Sequence, residues 1–240
     1  MSRLNIFSFL KMLQALCCVL GVTSASSDPV IVSREEWGAR APKNIENMAN
    51  PVPYVVIHHS YLPPACYNLT DCFKAMRWMQ DLHQDTNGWA DIGYNFGVGG
   101  DGRAYEGRGW SRVGAHAPYY NSKSIGICII GDWTVELPPE NQLATVHELI
   151  QKGVREGYIQ KDYKLVGHRQ VRQGTECPGD RLFKEIHKWQ NFCEQPDEIA
   201  VRTNNTWFLK KTVHDNSRDK EDKDEDNNDN GINRLEKRTV

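Results

Sequence analysis

The 240-residue chain has little net charge: 29 Lys and Arg stand against 31 Asp and Glu, a formal −2. Binding nucleic acid without sequence preference needs a basic surplus that releases counterions from phosphate, and no such surplus is present. The chain also lacks an apolar run of the roughly 20 residues that a membrane-spanning helix requires. The nearest approach, Ile6 to Val22, is short and interrupted by Lys11 and Gln14. His147-Glu148 begins like the metalloprotease motif HExxH, but Gln151 stands where the second histidine belongs. Gly99-Gly100-Asp101-Gly102 has no helix behind it of the kind a dinucleotide loop needs, so it reads as a tight turn between strands. These absences argue against a general nucleic-acid binder and against stable membrane insertion, and they leave no HExxH peptidase motif and no Rossmann-type cofactor loop.

What is present begins with the N-terminus. Arg3, the mostly apolar Ile6 to Val22 and the small residues Thr23-Ser24-Ala25 form the pattern of a secretory signal peptide over residues 1–25. A membrane anchor is the competing reading. Cleavage there removes Arg3 and Lys11 and no acid, which takes the formal charge from −2 to −4. A secreted, extracellular chain folds where cysteines pair. Cys17 and Cys18 leave with the signal, and the remaining cysteines are odd in number, so at least one thiol does something other than pair within the chain. Cys66 and Cys72 bracket a turn-like segment and can bridge. Cys128, inside an apolar run, reads as a small buried side chain. Cys177 is a metal candidate, and Cys193 has no assignment. Asn68 and Asn204 head glycosylation sequons.

The middle of the chain alternates strand and helix signals. Tyr54 to His59, Asn95 to Val98, Arg103 to Glu106, Ser124 to Ile130 and Lys164 to Val166 read as strands. Asp71 is placed to cap a helix from Cys72 to about Thr86, with His83 on its apolar face. Pro138-Pro139 precedes a second helix, with Leu143, Val146, Leu149, Ile150 and Val154 on one side. A last helix follows Pro178-Gly179-Asp180. The alternation predicts an α/β fold: a mixed central sheet flanked by helices, occupying residues 26–193. Residues 194–240 read as an acidic, unstructured tail, since Asp215 to Asn230 holds many acids and no aromatic or aliphatic residue.

The chemistry is organised around Val55-Val56-Ile57-His58-His59-Ser60, a buried strand that ends in two histidines. His168, after a second strand, and Cys177 downstream complete a possible ligand set with His58. Two imidazoles and a thiolate hold zinc (Zn2+) and leave a fourth position for water, which marks a catalytic rather than a structural site. Gly107 to Tyr120, rich in glycine, aromatics and polar groups including Arg108 and His116, reads either as a groove wall or as a loop packed by its own aromatics.

At this point the residues resemble a known family. Tyr54 to Ser60, Asp91 to Phe96, Gly99 to Gly102, Tyr105 to Trp110, Gly114-Ala115-His116, Ser124-Ile125-Gly126, Gly167-His168-Arg169 and Cys177-Pro178-Gly179 are together similar to the peptidoglycan recognition proteins, over about Ile31 to Phe192. The likeness is greatest to the secreted, catalytic insect members that dampen immune signalling. The resemblance implies a zinc N-acetylmuramoyl-L-alanine amidase of the type 2 fold, acting on bacterial peptidoglycan and its muropeptides. It places the zinc ligands on His58, His168 and Cys177, and the catalytic tyrosine on Tyr94. Members that only bind peptidoglycan usually lack the cysteine, which this chain keeps; a non-catalytic pattern receptor is the alternative reading. Between His168 and Cys177 the chain runs one residue longer than the relatives it resembles, at Gln173-Gly174, and the expectation is an outward bulge that leaves both ligands in place. Thr175 then falls where related phage amidases have a catalytic lysine, so its hydroxyl would donate or support.

The resemblance also implies a substrate groove. Gly88-Trp89 with Arg108 matches the family's mark for meso-diaminopimelate, whose extra carboxylate an arginine can hold with two parallel hydrogen bonds. His116 belongs to the expected groove wall. His59 is a candidate for contact with substrate or for protonating the leaving amine, with a supporting role beside the ligand as the other reading. A monomer is expected.

Overall fold

The computed structural model describes residues 28–204 and 206–212. The signal segment, residues 1–25, and the acidic stretch from Asp215 to Asn230 lie outside the described residues.

The strands are β1 (Ile31–Val32), β2 (Val52–His59), β3 (Phe96–Val98), β4 (Ala104–Glu106), β5 (Ser124–Ile129), β6 (Ile159–Gly167), β7 (Glu198–Thr203) and β8 (Thr206–Lys211). The helices are α1 (Leu69–Asp81), continued by a π-helical turn over Leu82–Thr86, α2 (Glu140–Arg155), the short α3 (His168–Val171) and α4 (Asp180–Ile186). Six strands form one sheet in the order β1-β4-β3-β5-β2-β6. β3 and β4 are antiparallel, and the other neighbours run parallel. This is the mixed sheet flanked by helices that the sequence predicts.

β2 lies between β5 and β6, parallel to both, with Ile57 opposite Ile127 on one side and Gly167 on the other. Central parallel strands are covered on both faces and therefore read as unbroken apolar runs, as Val55-Val56-Ile57 and Ile127-Cys128-Ile129 do. Strand alternation divides them. Val55 and Ile57 enter the large core with Ile125, Ile127, Val146, Leu149 and Leu182, under α2 and α4. Tyr54 and Val56 enter a smaller core with Tyr120, Val166 and Val171 on the opposite face. α1 covers the β3–β4 end of that same face through Cys72, Met76 and Met79, packed with Cys128 and Ile130.

Two expectations are corrected. The N-cap of α1 is Asn68, not Asp71: Asn68 Oδ1 accepts from Asp71 N at 3.0 Å, and the Asp71 carboxylate is taken by Asn68 Nδ2 and Lys74. An amide side chain can accept from the helix and donate to the acid at once, which a carboxylate cannot. Nor does structure end at Cys193. β7 and β8 pair antiparallel as a hairpin, and Ala200 is fully buried. Its signal lay in the apolar residues Ile199, Ala200, Val201, Trp207, Phe208 and Leu209 on either side of Asn204-Asn205.

The disulfide joins Cys66 to Cys72 and ties the segment after β2 to α1. Cys128 is buried, and Cys193 is half-buried beside Tyr54 and Val166.

A buried carboxylate organises the chain before β3. Asp91, 2% exposed at its side chain, lies 3.0 Å from the Arg34 guanidinium. Its Oδ1 accepts from Gln80 Nε2 on α1 and from Ile92 N. Removing the acid leaves a partly buried cation and a buried amide without their partner. Asp91→Ala is expected to lower stability by about 3 kcal/mol in denaturant unfolding, and a loss below about 1 kcal/mol would show that the network only decorates the fold.

Candidate active site

Alternation along β2 sends His58 to the face of Tyr54 and Val56, and His59 to the face of Ile57. The adjacent histidines therefore have different surroundings. β6 ends at Gly167 beside Ile57, and the chain turns there into α3, whose first residue is His168. A strap over residues 172–176 then returns Cys177 to the mouth of β2. The donor atoms of His58, His168 and Cys177 all lie within 4.8 Å of one another. Cys177 Sγ is 3.7 Å from His58 Nδ1, and the two imidazole centroids are 4.4 Å apart.

The donor set fits zinc. His58 Nε2 is engaged by His116 Nδ1 at 3.0 Å, which leaves Nδ1 on the sulfur side. His168 Nε2 is buried with no hydrogen-bond partner. Burial and the neighbouring positive groups hold both histidines neutral, far below their ordinary value, and a neutral imidazole is the ligand form. Burial pushes the Cys177 thiol up to about 12, against the pull of the His59 N–H that donates to its sulfur at 3.4 Å. A buried sulfur of this kind ionises when a cation takes the place of its proton.

The cluster opens on one side into a pocket of about 370 Å³, lined by His59, Ser60, Tyr61, Tyr94, Thr134, His168, Thr175, Glu176 and Cys177. A structural zinc site is closed by four protein ligands, whereas this one has three and a solvent-facing side. Tyr94 stands over His58, ring centroids 5.2 Å apart. Burial, with the sulfurs of Cys128 and Cys177 nearby, raises its phenol well above the ordinary value, so it is an O–H donor at neutral pH. Thr175 Oγ1 accepts from Cys177 N at 3.2 Å and so shapes the turn that presents the sulfur. His59 Nδ1 accepts from Trp133 N at 3.4 Å, which puts the ring proton on Nε2. Burial lowers His59 to about 4 even with the Asp132 carboxylate 3.8 Å away.

The structure relocates one residue expected to meet substrate and tethers another. His116 is 7% exposed and sits behind His58, not in the pocket lining. Glycines make its slot: a Cβ on Gly126 would lie 2.5 Å from the His116 ring, and one on Gly114 would lie 2.4 Å from it. That explains the glycine inside the apolar β5. Arg108 is no free surface cation. Nε donates to Ile92 O at 2.7 Å, Nη1 to Val113 O at 2.7 Å and Nη2 to Asp91 O at 3.4 Å. One N–H on each Nη is left over, enough for one carboxylate. Trp89 is half-exposed and stacks on His83 at 4.7 Å, while His83 Nδ1 accepts from Gly93 N. His83 thus anchors the segment that carries Trp89 and Tyr94. Of the aromatics in the expected groove wall, Trp110 packs on Phe96 and Tyr158, and Tyr120 is buried against Tyr54. Composition alone could not separate these core rings from groove residues. Tyr61, Thr134 and Glu176 line the pocket without any sequence signal beyond nearness to ligands.

Comparison with known proteins gives this geometry its context. The profile of the N-acetylmuramoyl-L-alanine amidase family matches residues 48–180. Peptidoglycan-recognition protein LB of Drosophila melanogaster is 59% identical over 171 residues, 71% of this chain and 73% of the relative. The human N-acetylmuramoyl-L-alanine amidase is 45% identical over 167 residues, 68% of this chain but 29% of that longer protein. The crystal structure of peptidoglycan recognition protein-LE in complex with tracheal cytotoxin, a monomeric diaminopimelic acid-type peptidoglycan, superimposes with a TM-score of 0.67 at 41% identity, covering 68% of this chain and 96% of that one. With a His-His-Cys zinc site beside an open pocket and a catalytic relative of this identity, the protein is a zinc hydrolase. It belongs to the N-acetylmuramoyl-L-alanine amidase family, among the peptidoglycan recognition proteins.

Proposed function

We propose that the protein hydrolyses the amide between the lactoyl group of muramic acid and L-alanine in peptidoglycan, with preference for stems that carry meso-diaminopimelate. The observation that carries this reading is the convergence of His58, His168 and Cys177 beside an open pocket. A zinc ion held by these three supplies Lewis acidity toward the amide carbonyl and makes water nucleophilic near neutral pH. Tyr94 lines the pocket and, as an O–H donor, is the residue that stabilises the negative charge growing on the carbonyl oxygen. Thr175 Oγ1 accepts from Cys177 N and lines the pocket, so its hydroxyl supports the Cys177 turn and keeps a proton to donate toward substrate. The Nε2–H of His59, neutral at pH 7, is placed to hydrogen-bond substrate rather than to give its proton to the leaving amine.

Specificity follows from the wall of Gly88, Trp89 and Arg108. Gly88 has φ +71°, which lets the chain turn and set Trp89 on His83. Trp89 offers an apolar face to any stem, and the spare N–H groups of Arg108 suit the carboxylate that lysine-type stems lack. The diaminopimelic acid-type ligand in the solved relative supports this choice. The signal-peptide pattern of residues 1–25, the disulfide and the sequons at Asn68 and Asn204 support a secreted protein that acts outside the cell to degrade immune-stimulating fragments. Among the described residues no helix is long and apolar enough to cross a membrane. Mass spectrometry of polymeric diaminopimelate-type peptidoglycan after incubation with the zinc-loaded protein tests the whole reading: intact stem peptides must appear free of muramic acid.

Cys177→Ser is expected to abolish turnover and leave less than a tenth of the parent's zinc after dialysis, because serine is a poor ligand at neutral pH. Parent-like activity with full zinc content in that variant would defeat the ligand assignment.

Arg108→Ala removes the donor of Ile92 O and Val113 O as well as any carboxylate contact, so a loss of several-fold in kcat/KM is expected on both stem types. On diaminopimelate stems the loss should be larger by roughly a further ten- to hundredfold, the worth of a charge-assisted pair. Equal losses on matched muropeptides would place the selectivity elsewhere.

A further inference from the structure

The hairpin β7–β8 lies outside the ligand-bearing segments and contributes nothing to the pocket lining. It nevertheless meets the zinc site through the strap over residues 172–176. The middle of that strap is thinly supported. Gly174 has φ +81° and no atom within 4 Å of where a Cβ would stand, whereas the end of the strap is held by Arg169, whose guanidinium donates to Glu176 O and Cys177 O. The strap's backbone partner beyond the ligand-bearing segment is Ala200 of β7. Gln173 N donates to Ala200 O at 2.9 Å, and Arg172 pairs with Ala200 in a parallel bridge. The Arg172 guanidinium lies over the Trp207 ring of β8, 4.9 Å from its centroid.

The hairpin in turn is fixed to the parts of the fold that hold the histidines. Lys164 Nζ of β6 donates to Asp197 Oδ2 at 2.7 Å, and Tyr120 O–H donates to Glu198 O at 2.8 Å. Tyr119 O–H donates to Trp207 O at 2.5 Å. Tyr119 and Tyr120 follow shortly after His116, the ring behind His58.

We propose that the hairpin β7–β8 is a positioning element of the zinc site, a brace that holds the strap between His168 and Cys177 and thereby sets how tightly the cysteine sulfur is kept on the metal. This rests on the reading of His58, His168 and Cys177 as ligands. Trp207 is a positioning residue: it acts through Arg172 and touches neither ligand nor substrate. A loosened strap lets Cys177 sample positions away from the two histidines, so metal affinity falls. The pocket walls at Tyr61, Tyr94 and Thr134 stay as they are, while Thr175 and Glu176, which the strap adds to the lining, move with it, so KM at saturating zinc changes less than zinc affinity does.

The test uses the full chain with Trp207→Ala, Trp207→Phe and Tyr119→Phe. Zinc affinity is measured by competition with a chelator of known affinity, and KM is measured at saturating zinc. Trp207→Ala is expected to weaken zinc binding about tenfold or more, in the range found when groups that orient metal ligands are removed. Trp207→Phe, which keeps a ring face for Arg172, should restore most of it. Asp91→Ala serves as the control for general destabilisation, since the Asp91 carboxylate bonds Arg34, Gln80 and Ile92 and nothing in the strap, and it should leave zinc affinity within about threefold of the parent. Parent-like affinity in Trp207→Ala, or a loss no greater than that of Asp91→Ala, overturns the brace. If Trp207→Ala does not fold, Tyr119→Phe decides: a loss of threefold or more supports the brace, and no loss overturns it. Failure of the parent itself to take up zinc would overturn the ligand assignment, a result distinct from zinc-binding variants that match their parent.

Discussion

Two imidazoles and a thiol buried together have little to offer one another without a cation. His58 and His168 are neutral and crowded by positive neighbours, and the Cys177 sulfur is held far from ionisation. Much of the surrounding structure exists to keep these groups in place despite that. Parallel pairing of β2 between β5 and β6 brings His58 and His168 to the same end of the sheet, where the carboxyl ends of parallel strands commonly carry ligand sites. His116 orients His58, and glycines at 114 and 126 make room for His116. The His59 N–H donates to the sulfur. Each of these features has a local physical cause, and together they leave one side open.

That open side separates catalysis from storage of a structural ion. The pocket places Tyr94 and the His59 ring near the metal cluster but asks nothing of them as ligands. Arg108 shows the same economy in the wall: it holds three backbone carbonyls and still keeps donors to spare. On the proposed reading, recognition and architecture would share one side chain there, so a change at Arg108 would not isolate one from the other.

The sheet, the helices over it and the three ligands were legible because they rest on strong local signals. Unbroken β-branched runs at Val55-Val56-Ile57 and Ile127-Cys128-Ile129 mark central strands, and interlocking motifs from Tyr54 to Cys177 mark the family. What stayed illegible depends on contacts between distant segments. Nothing in Gly114-Ala115-His116 says that the ring turns inward to His58, nor does the Gly-rich loop reveal that Trp110 and Tyr120 belong to the core. The cap at Asn68 was missed because Asp71 offered an equally good local signal, and only the fold decides between them. The hairpin after Cys193 was eclipsed by the acidic stretch that follows it, although its own apolar residues predict strands.

The adjacency of His58 and His59 has a consequence for folding itself. Because alternate residues of β2 face opposite sides of the sheet, a slip of one position would exchange the two rings and send Val56 and Ile57 to each other's cores. A chain paired one residue out of step still presents a histidine at the strand's end, but with the wrong neighbours behind it and no His116 at its back. Only the native register assembles all three donors. On the reading of these three groups as zinc ligands, the ion's site would exist in that register and in no neighbouring one.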